Sequence, residues 1–224
     1  MEKIIIILII GIVVIEFFKN IERKTKKNDR TIENLRAIAL ATIKQKDTFF
    51  NEANFINWAK NQFLKMQIYY SDKNLEKLKT IESENLIKKH IKEIEDLKVK
   101  NKNIITTKIL VNDAKIYSFE SKNEKDILTI YINSSMINYV EIEQNSEIIE
   151  GSKKKRQNKA FLLTFVRPSV EVINGKIIVK CKGCGASNTI LDSGRCEYCA
   201  TKFATGDYDW LIEDIRDYEE KINQ

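Results

Sequence analysis

All four cysteines of the 224-residue chain lie within "CKGCGASNTILDSGRCEYC", residues 181–199, as two C-x-x-C pairs. Cys181, Cys184, Cys196 and Cys199 at this spacing suit a tetrahedral zinc site with two thiolates from each of two turns. Four thiolates fill the coordination shell of zinc and leave no position for a substrate water, so the metal is expected to be structural. Gly183 and Gly185 allow the first turn to curl its amides towards the sulfurs, whereas Ala200 stands in the second turn where glycine is favoured. A redox pair is the rival chemistry, and two matched pairs without a thioredoxin-like β-α-β context argue against it.

No other constellation points to catalysis. The single histidine, His90, shares a helical face with Leu86, Ile94 and Leu97, with no carboxylate at local spacing to orient it. There is no G-x-S-x-G, no phosphate-binding glycine loop and no H-E-x-x-H. The chain is expected not to be an enzyme.

The cysteine segment must be carried by a larger body. Hydrophobic residues make up 43% of the chain, enough for a globular core, and the net charge of +6 from 38 basic and 32 acidic side chains is mild. Seven glycines and one proline are few, so most of the chain is expected to be regular structure. From Thr31, Ile32, Leu35, Ile38, Ala39 and Ile43 recur at helical spacing, and Phe55, Ile56, Ala59, Phe63, Met66 and Tyr70 continue the pattern through residues 52–70. A short capped helix near Ser71 or Asp72 and a further helix with Leu86, Ile87, Ile91, Ile94 and Leu97 follow. Near Asn103 the period changes to that of strands, which run to Val166 as an antiparallel meander. Helices first and strands afterwards predict an α+β fold, with helices packed on one face of a curved antiparallel sheet.

The amino terminus, "MEKIIIILIIGIVVIEFF", is apolar without a break from Ile4 to Ile15. A helix from Ile4 to Phe18 would span about 22 Å against roughly 30 Å of hydrocarbon, short unless extended to Ile21. A cleaved signal and a buried soluble helix are the alternatives; no small-x-small cleavage site follows the run. Lys19, Arg23, Lys24, Lys26, Lys27 and Arg30 downstream predict that a membrane anchor would leave the body on the cytoplasmic side, where free thiols persist. The expectation is a single-pass cell-membrane protein with a cytoplasmic carboxy-terminal domain.

"FINWAKNQFLKMQIYYSDKNLEKLKTIESENLIKKHIKEIE", a strand with "YINSSMINYV", and "IIEGSKKKRQNKAFLLTFVRPS" resemble the Tim44-like domain over about residues 52–170. The shared marks are an aromatic-rich first helix, a D-x-x-x-L turn, a V/I-x-G edge and a closing W-T-F-x-R. Phe165 and Arg167 match the closing motif, while Leu162 or Leu163 stands near the family's tryptophan. The resemblance implies a cone-shaped α+β domain of the nuclear-transport-factor-two-like superfamily, of the bacterial type with a membrane segment and a carboxy-terminal zinc ribbon. Folds of that superfamily can enclose a pocket, which some relatives use for catalysis, so the resemblance is joined to the missing catalytic motifs in reading the chain as a binding or adaptor module. The chain lacks the family's chaperone-binding amino-terminal extension, so a literal import-motor role does not follow.

Lys153, Lys154, Lys155, Arg156 and Lys159 crowd one turn, read either as a solvated hairpin tip or as a contact for anionic lipid head groups. The terminal segment "GDYDWLIEDIRDYEEKINQ" spaces Tyr208, Leu211, Ile212, Ile215, Tyr218 and Ile222 as an amphipathic helix, with acids that would repel nucleic acid beside the basic and aromatic residues of the ribbon. The expected organisation is an anchor (1–21), a basic juxtamembrane segment with a connecting helix (22–51), a Tim44-like domain (52–173), a zinc ribbon (174–205) and an acidic helix (206–224). The expected function is that of a membrane-anchored adaptor touching lipid or a protein partner. An enzyme or small-ligand binder using the cone cavity, and a nucleic-acid-binding ribbon protein, are the alternatives.

Overall fold

The computed structural model of the chain describes residues 29–169, 171–173, 176–181, 183–189, 195–203 and 209–218. Helix α1 covers residues 29–46, followed by α2 (Glu52–Ser71), α3 (Leu75–Leu78) and α4 (Glu84–Val99). Strands β1 (Lys102–Lys122), β2 (Lys125–Ile142), β3 (Ile148–Gly151) and β4 (Gln157–Pro168) come next. Next come β5 (Glu171–Ile173), β6 (Lys176–Lys180) and β7 (Ser187–Thr189), and β8 (Leu211–Asp217) follows as the last strand among the described residues. The α+β expectation holds: helices precede an antiparallel sheet of order β1-β2-β4-β8, with β3 on β2.

Local chemistry starts the helices where the polar residues fall. Asn51 and Ser83 accept from the amides of Asn54 (2.9 Å) and Leu86 (3.3 Å), filling donors that a helix amino terminus leaves open. Asn74 does the same for α3, so α2 runs on to Ser71 and the short helix begins later than the sequence suggests.

The stripe Phe55, Ile56, Ala59, Phe63 and Met66 of α2 packs with Leu86 and Ile94 of α4 onto Leu128, Ile130, Ile132, Leu163, Phe165 and Ile212 of the sheet. On the opposite face, Tyr131, Leu162, Tyr117 and Tyr218 meet Ile32 of α1. Ala39 and Ile43 of α1 join the main core, so the helix expected as a connector packs one face into the body. Asp126, wholly buried at the start of β2, pairs with Lys46 of α1 and with Arg167 of β4 (3.3 Å) and accepts from Ser121 (2.8 Å).

Three features correct the sequence reading. Leu211–Asp217 is the last strand of the sheet rather than part of an acidic helix. A register shift opposite Thr164/Phe165 moves the core face along by one residue, so Ile212 and Ile215 both face the core three positions apart. That spacing imitates a helical stripe. The basic stretch is not a hairpin tip either: β1 takes one edge of β2 along its length, and β3 and β4 share the other, so residues 152–156 loop out between two strands on one line. Finally, the cysteine segment is an insertion, because β4 and β8 on either side of it are antiparallel neighbours.

The expected membrane helix, residues 1–21, lies outside the described residues, and among the described residues no helix is long and apolar enough to cross a membrane. With no anchor in support, the single-pass topology and the cytoplasmic placement are withdrawn. The lipid contact is withdrawn with them. Lys153 is held by Glu141 (2.8 Å) and lies over the Tyr139 ring, and Arg156 donates to the Ser135 carbonyl (3.1 Å) and hydroxyl (3.0 Å). These cations are committed to the sheet they project from, which leaves Lys154 and Lys155 at the loop tip and Lys159 on β4.

Candidate functional site

Each cysteine pair sits on a turn built to the same plan. The Cys181 amide donates to Ala186 and the Gly185 amide to Cys181, while the Cys196 amide donates to Thr201 and the Ala200 amide to Cys196. Two residues beyond the first cysteine of each pair, an amide points at its sulfur: Gly183 at Cys181 (3.3 Å) and Tyr198 at Cys196 (3.4 Å). The turns close through left-handed residues, Gly185 at φ +75° and Ala200 at φ +59°. Glycine is required at Gly183 for space: a Cβ there would lie 2.4 Å from the Thr201 hydroxyl. Because a side chain is strained in the left-handed region, Ala200→Gly is expected to raise zinc affinity up to about five-fold, or ~1 kcal/mol, in a competition titration. An unchanged affinity would show that the second turn carries no strain.

The four sulfurs lie within 4.8 Å of one another, with Cys181–Cys199 at 3.6 Å and Cys184–Cys196 at 3.7 Å. A zinc ion bound tetrahedrally to sulfur at about 2.3 Å sets its ligands roughly 3.8 Å apart. The cluster therefore has the geometry of a structural zinc site. Its acid–base character agrees. The Thr201 hydroxyl and backbone draw the Cys199 thiol down to about 6. Cys184 rises to about 12: the Ala186 backbone lowers it, but the other thiols and burial outweigh that effect. Four thiolates this close together need a cation among them. Residues 182, 190–194 and 204–208 lie outside the described residues, so the expected ribbon topology reduces to the β5-β6-β7 sheet, two turns and an Arg195–Lys202 bridge. The core of this four-cysteine module is Val179, Cys181, Cys196 and Phe203.

A second site lies in the body of the fold. Between α2, α4 and the sheet is a cleft of about 370 Å³, walled by Met66, Ile104, Met136, Phe161 and Ile215, with His90, Lys159 and Asp217 among its polar lining. His90 does have an orienting carboxylate, contrary to the sequence reading. Glu82, eight residues upstream and with no side-chain exposure, holds Nδ1 through both oxygens (2.9 and 3.0 Å). The Tyr70 ring packs edge-on against the imidazole at 4.8 Å, and its hydroxyl donates to Glu93 (3.1 Å). The pairing was missed because Glu82 lies before the amino-terminal cap of α4, off the helical register of His90.

Glu82 belongs to a segment that also borders β8: Ser83 donates to Ile212 (2.8 Å), and Ile212 donates to Ile81 (2.9 Å). The Glu82–His90 pair thus ties α4 to the outer edge of the sheet. Among the described residues, the cleft lining holds no serine or cysteine; its hydroxyls are those of Thr106, which accepts from the Asn138 amide (2.8 Å), and Tyr70, which donates to Glu93.

No curated protein matches the sequence. Among solved structures, the chain is similar to "Crystal structure of intermembrane space region of chloroplast protein ARC6" at 10% identity, over 74% of this chain and 97% of that one, with a TM-score of 0.39. The model of the Tim44-like domain matches residues 36–175. None of these comparisons supports the wider nuclear-transport-factor-two-like placement, which is withdrawn along with the cone shape drawn from it. Since the match runs over more than half of its length, the chain belongs to the Tim44-like domain family, a family of non-catalytic domains, and is not an enzyme.

Proposed function

We propose that the chain is a protein-binding adaptor whose cleft receives an apolar side chain of a partner protein. In this reading Cys181, Cys184, Cys196 and Cys199 hold a structural zinc that staples the inserted module. The observation that carries it is the cleft itself. Two methionines, Ile104, Phe161 and Ile215 form an adaptable apolar wall at the boundary of helices and sheet. The side-chain ammonium of Lys159 at its rim has no hydrogen-bond or ion-pair partner among the described residues, and so can meet a polar group of the partner. Membership of a non-catalytic family supports binding over chemistry.

The test is photo-crosslinking in cells, with the reactive residue placed at Gln67 in the cleft and, as a control, at Lys88 on the exposed face of α4. A discrete protein adduct is expected from position 67 alone, and it should be lost when Met136→Trp fills the cleft. Equal adducts from both positions, or an adduct indifferent to the filled cleft, would overturn the proposal.

A further inference from the structure

The four-cysteine module sits inside what would otherwise be a hairpin. Strands β4 and β8 pair from Phe161↔Asp217 to Val166↔Leu211, yet all of residues 167–210 separates them. Neighbouring antiparallel strands are ordinarily joined by a few residues, and the probability of closing a free loop falls roughly as the 3/2 power of its length. Everything that β8 contributes must therefore be delivered across this insertion.

That contribution reaches both faces of the sheet. Trp210 packs edge-on against Phe55 (5.6 Å) and lies under the Arg167 guanidinium (4.4 Å). Ile212 is fully buried, and Tyr218 meets Tyr131 on the other face (5.1 Å). Ile215 and Asp217 form part of the cleft.

The module has little of its own to keep it folded. Two of the four residues in its core are cysteines, so removing metal removes most of what orders it. The insertion then changes from a closed unit with short flanks into a long free loop.

We infer that metal at the four cysteines is thermodynamically linked to the docking of β8, and through β8 to the integrity of the cleft. If metal reduces the free chain to roughly a quarter of its length, its loss raises the population with β8 out of the sheet about eight-fold. Linkage is reciprocal, so a docked β8 tightens metal binding by the same factor. The zinc reading of the cysteines is presupposed; the identity of a partner is not.

The experiment is hydrogen exchange on the full chain, zinc-loaded and after chelation, with zinc content measured on the same samples. The amides of Ile212 and Tyr218, both hydrogen-bonded in the docked strand, should exchange about eight-fold faster after chelation, with those of α4 and of the β1–β2 ladder unchanged. Replacing residues 170–208 by Gly-Asn-Gly makes an ordinary hairpin, in which β8 exchange should no longer respond to chelator. In the intact insertion, Trp210→Ala should weaken zinc binding by up to the same eight-fold. Zinc uptake with unchanged exchange at β8 overturns the linkage alone. No zinc uptake at all overturns the metal reading, and the linkage with it.

Discussion

Cys184→Ser is expected to abolish stoichiometric zinc binding and to unfold the inserted module while the α/β body stays folded. A structural zinc contributes on the order of 10–16 kcal/mol in small four-ligand domains at neutral pH, because the ligand set exists as a set only in the folded state. Serine offers a protonated, harder oxygen in place of a thiolate, and three sulfurs do not close the shell. Without the metal, the module rests on Val179, Phe203 and the flank of Ile177, far below what a unit of this size needs. Zinc analysis should read near zero for the variant. The amides of Cys181 and Cys196, hydrogen-bonded within the two turns, should lose their exchange protection. The main core contains no residue of the module, so the amides of α2, α4 and β2 should keep theirs. Chelating the unmodified chain should reproduce the pattern, and added zinc should reverse it. A Cys184→Ser chain that retained zinc and ordered turns would show that the clamp does not depend on four sulfurs.

Asp126→Ala is expected to destabilise the body by about 3–5 kcal/mol, the usual consequence of removing one partner from a buried charge pair. Its side chain is 0% exposed and that of Arg167 is 10% exposed, so water offers little compensation. Burial pulls the Arg167 guanidinium below its ordinary range, and Asp126 is the main influence holding it up. Deleting the carboxylate leaves that cation between Trp210 and the sheet without its ion-pair partner, with only the weaker influence of Asp47 and Asp209, and Lys46 loses its ion pair as well. Urea denaturation should show a lower midpoint at unchanged slope. Breaking the exposed Lys79–Glu76 pair (51% and 84% exposed), as a comparison, should change stability by less than about 1 kcal/mol. A loss that small for Asp126→Ala would mean that the network does not hold α1, β2 and β4 together.

The Asp126 network also marks how far a linear reading reaches. Arg167 stood out as part of a family motif, but its partners lie 41 residues upstream at Asp126 and beyond, at Trp210. No periodicity signals such a pairing. The apolar stripe of α2 was legible because a helix repeats its buried face every three or four residues whatever it packs against. The stripe from Leu211 to Tyr218 was misread as a helix for the same reason in reverse. A register shift in the β4–β8 pairing gives a strand the spacing of a helix, and only the presence of the open edge of β4 distinguishes the two. Similarly, the lysines of residues 153–159 are conspicuous as a run, yet Glu141, Tyr139 and Ser135, which engage Lys153 and Arg156, come from the neighbouring strand.

The sequence by itself determined the helical first half, the antiparallel second half and the four-cysteine cluster. Each of these is governed by short-range rules: side-chain period along one element, or ligands three positions apart on a single turn. Tertiary structure alone decided that Glu82 orients His90, that a cleft lies beside them, and that the cysteine module interrupts a hairpin instead of trailing the domain. Those facts depend on which backbone edges and buried charges find partners across the fold. Hydrogen bonds and desolvation are satisfied in space, between residues whose separation along the chain carries no information about their contact.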